Sequence, residues 1–353
     1  MASLVLSVIL VTWNDTIDLI NCLKDLEKQT FNNFEVIIVE NGSKEENLQL
    51  LKNFLSKFQP TNQFRLRIFY TGIDDGYTGG NNYGAKRAEG ELLLILNPDT
   101  ILKPKNIESL LNRFKKLEKR LGTDKILLNP RLCTSDGKHE FSKGHVNFLG
   151  FGLIDCIKTE ECLDSDFISG GCFLIKTKYF KNLKGFDESY FMYHDDLEFS
   201  LRARLEGFRI VVENKIFVLH NKTLKDYQLT PFKYYYIERN RFRTILRYSH
   251  SKKLHFFILL LFEPILLAHA LVSGFLKCRF KIYKYLIQNI SNLFKTKSPF
   301  GLKKKFKFSK YKMDGVMDFF GNRSNSGMVK LLNLYSKFLY YIYYKRLKKL
   351  KVI

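Results

Sequence analysis

Negative charge is scarce in the last third of this sequence. After Glu238 the only acidic residues are Glu263, Asp314 and Asp318. The whole chain carries 58 Lys and Arg against 35 Asp and Glu, which gives a formal net charge of +23. Such an excess favours anionic partners such as phospholipid headgroups, nucleic acid or phosphorylated substrates. We therefore expect the basic third of the chain to have a different partner from the rest.

Three common sequence signals are also missing. No two cysteines have the C-x-x-C spacing that is typical of zinc and thiol-redox sites, which favours a reducing cytoplasm. No G-x-G-x-x-G follows the first apolar run, which disfavours a nicotinamide-dependent oxidoreductase. That run, residues 4–11, lacks a basic leader and a small-residue cleavage site, so we predict a core strand there and no signal peptide. The six cysteines are Cys22, Cys133, Cys156, Cys162, Cys172 and Cys278.

The first hundred or so residues alternate β-rich apolar runs with segments of helical periodicity. This alternation predicts an α/β fold in which helices cover a parallel sheet. The predicted strands are 4–12, 35–40, 65–70 and 92–96, and further on 172–176, 208–212 and 216–220, with a helix over 195–206. Open parallel sheets bind ligands beyond the carboxyl ends of their strands. The candidate site segments are therefore 13–15, 40–43, 72–82 and 97–100.

An Asn-Pro-Asp triplet follows the fourth predicted strand. Pro98 fixes the bend, so Asp99 should project from the end of a buried strand. A carboxylate in that position can hold a hard divalent cation together with diphosphate oxygens and water. An ordinary turn with an aspartate cap explains the triplet equally well.

Asp195 and Asp196 stand at the start of a predicted helix. Aspartate is favoured there as a cap and by the helix dipole, which is the simplest explanation of the pair. The alternative is that one carboxylate acts as a general base on an acceptor hydroxyl. Repulsion between the two charges would raise the pKa of one of them towards a useful value.

Two glycine-containing segments could allow close backbone approach to a ligand. In residues 79–82 the asparagines could bind sugar hydroxyls, or they could cap a helix at a plain loop-to-helix junction. Residues 169–171 offer backbone donors, or they could serve only tight packing before a strand. The residues alone leave both alternatives open.

Taken together, these motifs resemble the inverting family 2 glycosyltransferases in order and spacing. The resemblance is strongest with the rhamnosyltransferase-like and galactofuranosyltransferase-like branch, and it covers roughly residues 4–248. The matching segments are Val5–Asn14, Val39–Ser43, Gly76–Gly84, Asn97–Asp99, Ile168–Ile175, Gly185–Glu188, His194–Glu198 and Ile216–His220.

The resemblance implies a GT-A fold, a Rossmann-like sheet that binds a nucleotide-diphosphate sugar. It implies that Asp196 is the catalytic base with Asp195 beside it, and that Asp99 and His220 hold Mn²⁺ or Mg²⁺. Asn97 replaces the first Asp of the family's metal motif, and Glu40 replaces its usual Asp after the second strand. The implied donor-binding residues are Thr12, Asn14, Glu40, Asn41, Gly80, Asn81 and Asn97, and those for acceptor or sugar are Gly170, Gly171 and Glu198.

We expect a catalytic domain over residues 1–250, with a donor half (1–100) and an acceptor half (101–250), and a basic helical extension over 251–353. The apolar segment 254–276 is about long enough to cross a bilayer, which takes roughly 20 residues. Glu263, Pro264 and His269 disfavour spanning. We therefore predict an interfacial helix at an anionic membrane, on the inner face of the cell membrane. A glycan or polyprenyl-linked acceptor would suit that location.

Two alternatives come from other functional classes. Lys and Arg interleaved with Tyr and Phe could track a phosphate backbone and stack bases, as in a nucleic-acid-binding protein. An inactive transferase fold could serve as a membrane assembly factor. The strand-end motifs disfavour the first, and the presence of Asp99, Asp196 and His220 disfavours the second, so we expect an enzyme and no nucleic-acid partner.

Overall fold

The computed structural model describes residues 4–60, 64–135, 140–155, 159–221, 228–249, 251–295 and 327–349. The chain divides into two compact units, one of residues 1–143 and 156–227 and the other of residues 144–155 and 228–353. The longer segment of the second unit thus begins at 228, and the unit also includes residues 144–155. We expected an extension beginning at 251. Cys156 and the lysine run 303–305 lie outside the described residues.

The amino-terminal half of the first unit is a parallel α/β sheet, as predicted. β1 pairs in parallel with β2 and with β4, and β2 pairs in parallel with β3. The strand candidates 4–12, 35–40, 65–70 and 92–96 are confirmed with small changes of boundary. The elements are β1 (Leu6–Thr12), α1 (Thr16–Glu27), β2 (Phe34–Glu40), α2 (Glu45–Leu55), β3 (Arg65–Tyr70), α3 (Gly76–Arg87) and β4 (Leu92–Leu96).

Further strands and helices follow up to residue 220, and all of these strands except β8 and β9 extend this sheet. They are β5 (Thr100–Ile101), α4 (Asn106–Leu121), β6 (Ile126–Thr134), β7 (Glu140–Phe141), β8 (Lys143–Val146), β9 (Gly152–Asp155), β10 (Cys162–Asp164), β11 (Cys172–Lys176), α5 (Thr177–Asn182), α6 (Asp195–Leu205) and β12 (Arg209–His220). A short 3-10 helix, Glu188–Tyr190, precedes α6.

The described strands of the first unit form one sheet in the order β10-β12-β6-β11-β4-β1-β2-β3, with β5 on β12 and β7 on β6. β11 runs antiparallel to both β4 and β6. The two strands predicted at 208–212 and 216–220 are one strand, β12, whose register shifts between Glu213 and Phe217. β8 and β9 pair separately.

A phenylalanine cluster attaches α6 to the sheet. Phe199 of α6 lies with its ring centroid 5.3 Å from that of Phe180 and 5.1 Å from that of Phe186. All three are buried, together with Phe173 of β11. Burying one such side chain stabilises the fold by about 1.5–3 kcal/mol. The cluster therefore holds the start of α6, with its two aspartates, at a defined place.

The second unit contains the β8–β9 pair and the helices α7 (Pro231–Tyr248), α8 (Lys252–Val272), α9 (Leu276–Lys295) and α10 (Gly327–Lys349). α7 begins with Thr230 as its cap, which accepts a hydrogen bond from the backbone N–H of Lys233 at 3.2 Å, and with Pro231 in its first turn. A helical unit after Pro231 is what the sequence predicts.

Buried charges join these helices. The carboxylate of Glu238 in α7 accepts hydrogen bonds from Nε of Arg241, at 2.7 Å, and from Nη1 of Arg279 in α9, at 2.5 Å. Burial alone would raise the pKa of Glu238, but the charges of Arg241 and Arg279 outweigh it and lower that pKa to about 2. Because Arg279 also pairs with Glu263, α7, α8 and α9 share one ionic network. This network explains why α7 belongs to the second unit.

Candidate functional site

The loop after β1 is held against the loop after β2. Asn14 has a φ of 59°, a left-handed conformation that asparagine tolerates better than most residues. Its backbone N–H donates to the Ser43 hydroxyl at 2.9 Å, and its side-chain oxygen accepts from the N–H of Lys44 at 2.8 Å. Thr12 is fully buried and donates its hydroxyl to Asp15. Both predicted donor residues thus lie at the strand ends, where they shape the loops.

Glu40 ends β2 and Asn41 follows it, and both are buried. One carboxylate oxygen of Glu40 accepts from the N–H of Ser43 at 2.6 Å. The Asn41 amide donates to Asp74 at 3.3 Å and to the carbonyl of Gly76 at 3.1 Å. These contacts connect the β2 end with the segment that leads into α3. Their predicted contact with a nucleoside stays a prediction.

The small residues of α3 have a packing reason. A Cβ atom on Gly80 would lie 2.5 Å from Cγ1 of Val11, so glycine lets the helix approach β1 closely. Asn81 is buried and donates to the carbonyl of Tyr77 at 2.8 Å. Packing accounts for both residues without a ligand, and their role in donor binding stays a prediction.

Asp99 and His220 meet although they are 121 residues apart, with the Oδ1 of Asp99 2.9 Å from the Nε2 of His220. The side chains are 17% and 12% exposed. They meet because the short β5 pairs with the end of β12, which places Thr100 opposite His220. The backbone N–H of Asn221 also donates to the Asp99 carbonyl, at 2.7 Å.

The pair has the donor chemistry for a divalent cation, but not a full ligand set. A carboxylate oxygen suits a hard cation and an imidazole nitrogen suits a transition ion such as manganese. Among the described residues, no group of three or more His, Cys, Asp or Glu side chains is arranged to hold a metal. Asp99 and His220 therefore fit an ion that takes its other ligands from outside the chain, as a diphosphate would provide.

An open cavity of about 270 Å³ adjoins Asp99 and is lined by side chains of both charges, including Asp18, Lys24, Asp25 and Lys28. Asp15, which belongs to the predicted site segment 13–15 but received no role in our sequence analysis, is a further acidic residue that interacts electrostatically with Asp99. Burial, with a smaller contribution from the charge of Asp99, raises the pKa of Asp15 to about 6.

Asp195 and Asp196 begin α6, as predicted, but their environments differ. Asp195 is buried, and burial followed by the charge of Asp196 raises its pKa well above 3.8. Asp196 is half-buried and accepts from the N–H of Gly170 at 3.1 Å and from that of Leu197 at 2.8 Å. Burial raises the pKa of Asp196, although these backbone donors oppose the shift. Neither aspartate caps α6, whose N-cap is His194, but both lie in its first turn, where the helix dipole favours acidic side chains.

The segment before Asp195 has an unusual backbone. Phe191, Tyr193 and His194 have φ values of 67°, 61° and 66°. Left-handed conformations are costly for such side chains and concentrate at functional sites. The carbonyl of Phe191 accepts from the N–H of Thr78, at 3.1 Å, in the first turn of α3. The local sequence contains no glycine to signal this conformation.

Gly170 and Gly171 lie between Asp196 and the Asp99–His220 pair and contact residues on both sides. The N–H of Gly170 donates to Asp196, while the carbonyl of Gly171 accepts from the N–H of Asn97 at 2.9 Å. A Cβ on Gly171 would lie 3.8 Å from the His220 ring. The backbone of residues 170–171 therefore brings Asp196 and the Asp99–His220 pair to the same part of the sheet.

Tyr77 is a candidate functional residue that our sequence analysis missed. Its hydroxyl donates to the carbonyl of Gly170 at 2.7 Å, so it orients the backbone that contacts Asp196. Burial, then the charges of Asp195 and Asp196, holds the pKa of Tyr77 well above 10. The only signal was the presence of two tyrosines, Tyr77 and Tyr83, in an otherwise small and polar segment, 76–84.

Glu198 does not join this group. It is fully buried and forms an ion pair with Arg202, one turn further along α6, at 2.8 Å. Residues two apart on a helix point to different sides, so Asp196 and Glu198 do not face the same space. We expected Glu198 to contact an acceptor or sugar, but its placement argues for a structural role instead.

Relatives in sequence are glycosyltransferases. One is the low-salt glycan biosynthesis hexosyltransferase Agl10 of Haloferax volcanii, with 26% identity over 67% of this chain and 74% of the relative. Another is the rhamnosyltransferase WbbL of Escherichia coli, with 28% identity over 40% of this chain and 61% of the relative. Neither supports a nucleic-acid-binding protein or an inactive assembly factor.

A solved structure has the same fold. GalNAc-T7, crystallised with UDP, GalNAc and Mn²⁺, matches with a TM-score of 0.59 at 16% identity, over 82% of this chain and 57% of the neighbour. This similarity confirms the predicted GT-A fold. The sequence model of Glycosyl transferase family 2 matches residues 7–184, half of the chain, and the chain therefore belongs to that family.

Proposed function

We propose that this enzyme transfers a sugar, with inversion, from a nucleotide-diphosphate sugar to a saccharide or lipid-linked acceptor in surface-glycan assembly. The names of its relatives, a glycan biosynthesis hexosyltransferase and a rhamnosyltransferase, support that substrate class. The observation that carries the proposal is the position of Asp196, whose carboxylate and the Asp99–His220 pair both border the backbone of residues 170–171.

Asp196 would act as the general base. The acceptor hydroxyl oxygen attacks the anomeric carbon, the bond from that carbon to the diphosphate breaks, and the hydroxyl proton passes to Asp196. A base must be ionised before the step and basic enough to take the proton, and the raised pKa of Asp196 favours the second condition. The N–H groups of Gly170 and Leu197 stabilise the ionised form and fix its orientation. Asp195 would stay protonated behind it.

Asp99 and His220 would hold a divalent ion, Mn²⁺ or Mg²⁺, with the diphosphate completing its ligands. Such an ion, when bound, neutralises negative charge on the leaving diphosphate. The half-buried position of the pair keeps the carboxylate and imidazole oriented towards each other. The related fold of GalNAc-T7, which was crystallised with UDP and Mn²⁺, supports a metal. The donor residues, Thr12, Asn14, Glu40 and their neighbours, would form the nucleotide side of the site.

We place the enzyme in the cytoplasm, peripherally on the inner face of the cell membrane, with a polyprenyl-linked acceptor as its substrate. Two features support this location. The chain carries a net charge of +23, and α8 is the one described helix that is long and apolar enough to cross a membrane. An anionic membrane surface would attract the positive charge and accommodate the apolar helix.

A thermal-shift panel tests the donor and the metal. The full chain, Asp99→Ala and Asp196→Asn would be titrated with UDP-, dTDP- and GDP-sugars, with and without Mn²⁺ or Mg²⁺. We expect one nucleotide class to stabilise the wild type in the presence of metal, and Asp99→Ala to lose that shift. Asp196→Asn should keep the shift but fail to transfer sugar.

Two outcomes would overturn the proposal. One is the absence of a shift with any nucleotide sugar, combined with tight, salt-sensitive RNA binding, which would favour the nucleic-acid alternative. The other is full transfer activity of Asp196→Asn, which would remove this residue as the base.

A further inference from the structure

One face of α8 is apolar and exposed. Its residues Phe257, Leu260, Leu267 and Leu271 are between 37% and 65% exposed. Their spacing of three, seven and four residues places them along one side of a helix, and we call them the α8 stripe. The opposite side, with Leu259, Phe262 and Leu266 among its residues, is buried within the second unit. The stripe is therefore an unburied surface of a helix that is otherwise packed.

Judged by its length and composition, α8 could span a bilayer, since it has 21 residues and a mean hydropathy of 2.0. Its packing partners argue otherwise. Near its middle, Glu263 forms an ion pair with Arg279 of α9, whose Nε lies 2.5 Å from the carboxylate, and accepts a hydrogen bond from Tyr283. At its start, the Lys252 ammonium donates to the carbonyls of Leu293 and Phe294, at 3.1 and 3.0 Å. α9 therefore lies alongside α8 over most of its length.

α9 is not a membrane-spanning segment. Lys277, Lys281 and Lys284 are exposed on it, and charged side chains are costly in the hydrocarbon core. If α8 crossed the bilayer with α9 beside it, these lysines would enter that core. If α8 crossed the bilayer without α9, the Glu263 carboxylate would enter the hydrocarbon core without its partner Arg279. Both arrangements are unfavourable, whereas a helix lying flat avoids both.

We infer that α8 lies in the plane of an anionic phospholipid surface, with its stripe at the boundary between headgroups and acyl chains, and does not span. Charge complementarity identifies the occupant, because the lysines of the adjacent α9 and Lys253 of α8 are exposed in the same unit and carry the sign that anionic lipid attracts. This inference rests on the proposed membrane location and specifies the surface that would make the contact.

Vesicle co-sedimentation of the full chain tests the surface. The probes are vesicles of phosphatidylcholine alone and of phosphatidylcholine mixed with phosphatidylglycerol, each at low and high salt. The variants are Leu260→Glu/Leu267→Glu on the stripe and Lys277→Gln/Lys281→Gln/Lys284→Gln on α9. Leu50→Glu is the matched control, because Leu50 is an exposed leucine of α2 in the first unit.

We expect the wild type and Leu50→Glu to bind only the anionic vesicles. The stripe variant should bind at least about tenfold more weakly, and the lysine variant should lose most of the salt-sensitive part of binding. Unchanged unfolding temperatures would show that the exposed substitutions leave the fold intact. Equal binding of the stripe variant and the wild type would overturn the inference.

Alkaline carbonate extraction of cell membranes distinguishes an α8 that lies on the membrane surface from an α8 that spans the bilayer. We expect the protein to be released, and retention in the membrane pellet would show that α8 spans. The nucleotide-sugar thermal shift should be the same in the stripe variant and the wild type. A missing shift in both, with vesicle binding intact, would overturn the transferase proposal and leave the membrane surface standing.

Discussion

The two units of this chain differ in how their functional residues come together. In the first unit, polar residues that follow successive strands meet because parallel strands end at the same edge of the sheet. In the second unit, Glu238, Glu263 and Arg279 come from three different helices and meet only in the packed structure. The helical part from residue 228 onward also lies outside the family match, which ends at 184. Local sequence therefore predicts partners well in a parallel sheet and poorly between helices.

The largest effect is expected in the first unit, from Asp196→Asn. Because the amide cannot take a proton, the turnover number should fall by about 10²–10⁴-fold. Donor affinity should be nearly unchanged. A steady-state transfer assay measures the turnover number, and a nucleotide-sugar thermal shift measures the donor affinity. Glu198→Gln is the comparison, and a loss of equal size there would contradict the structural role that we assign to Glu198.

Asp196→Asn, which should lower the turnover number, should not lower the stability of the folded protein. The folded protein holds protons on the Asp195–Asp196 pair up to a pH at which the unfolded chain, with a pKa of 3.8, has lost them. Stability should therefore fall as the pH rises through the raised pKa values. Asp196→Asn removes part of this dependence, so its unfolding temperature at neutral pH should equal or exceed that of the wild type. Transfer by the wild type should fall as the pH drops and Asp196 becomes protonated.

The next largest effect is expected in the second unit, from Arg279→Met. This change leaves Glu238 and Glu263 without their shared guanidinium, and breaking a buried ion pair in this way costs about 3–5 kcal/mol. Urea unfolding measures the loss. Arg65→Met is the control, since the Arg65–Glu89 pair is about half exposed and should contribute no more than about 1 kcal/mol. Similar losses in both variants would remove the distinction between the two units.

A smaller effect on donor binding is expected from Asp99→Ala. Loss of the carboxylate should weaken metal-dependent donor binding by at least about 10–100-fold, because the loss of a group that merely supports a metal ligand already has an effect of that size. Titration calorimetry with the nucleotide sugar, with and without Mn²⁺, measures the change. Asp18→Ala tests specificity, because Asp18 lines the same cavity but forms its hydrogen bond with Asn221. A loss in that variant of the same size would point to a general effect of charge.

The smallest effect is expected from Tyr77→Phe. The change removes the hydrogen bond to the Gly170 carbonyl, which should contribute about 0.5–1.5 kcal/mol, or up to roughly tenfold in the turnover number. Because Gly170 contacts Asp196, the acidic limb of the pH–rate profile should shift, while the Michaelis constant for the donor should not. Tyr83→Phe on the same helix is the matched control. An unchanged pH profile would limit Tyr77 to a packing role.

Local patterns predicted most of the first unit. The strands at 35–40, 65–70, 92–96 and 172–176 and the helix from Asp195 are confirmed, because period and turn residues report on burial directly. The boundary of the second unit could not be predicted, since the grouping of residues 144–155 with the helices after 228 and the ionic network of α7 involve residues far apart in the sequence. The conformations of Phe191, Tyr193 and His194 were also not predicted, because no glycine marks them.

By itself, the sequence determined the α/β class, the family resemblance and the residues that stand at strand ends. These features depend on spacing within short segments, which the amino-acid order states directly. Only the tertiary structure decided that Tyr77 and Gly170 support Asp196 and that Glu263 pairs with Arg279. Those contacts depend on which strands and helices become neighbours, and burial of the whole core selects that arrangement.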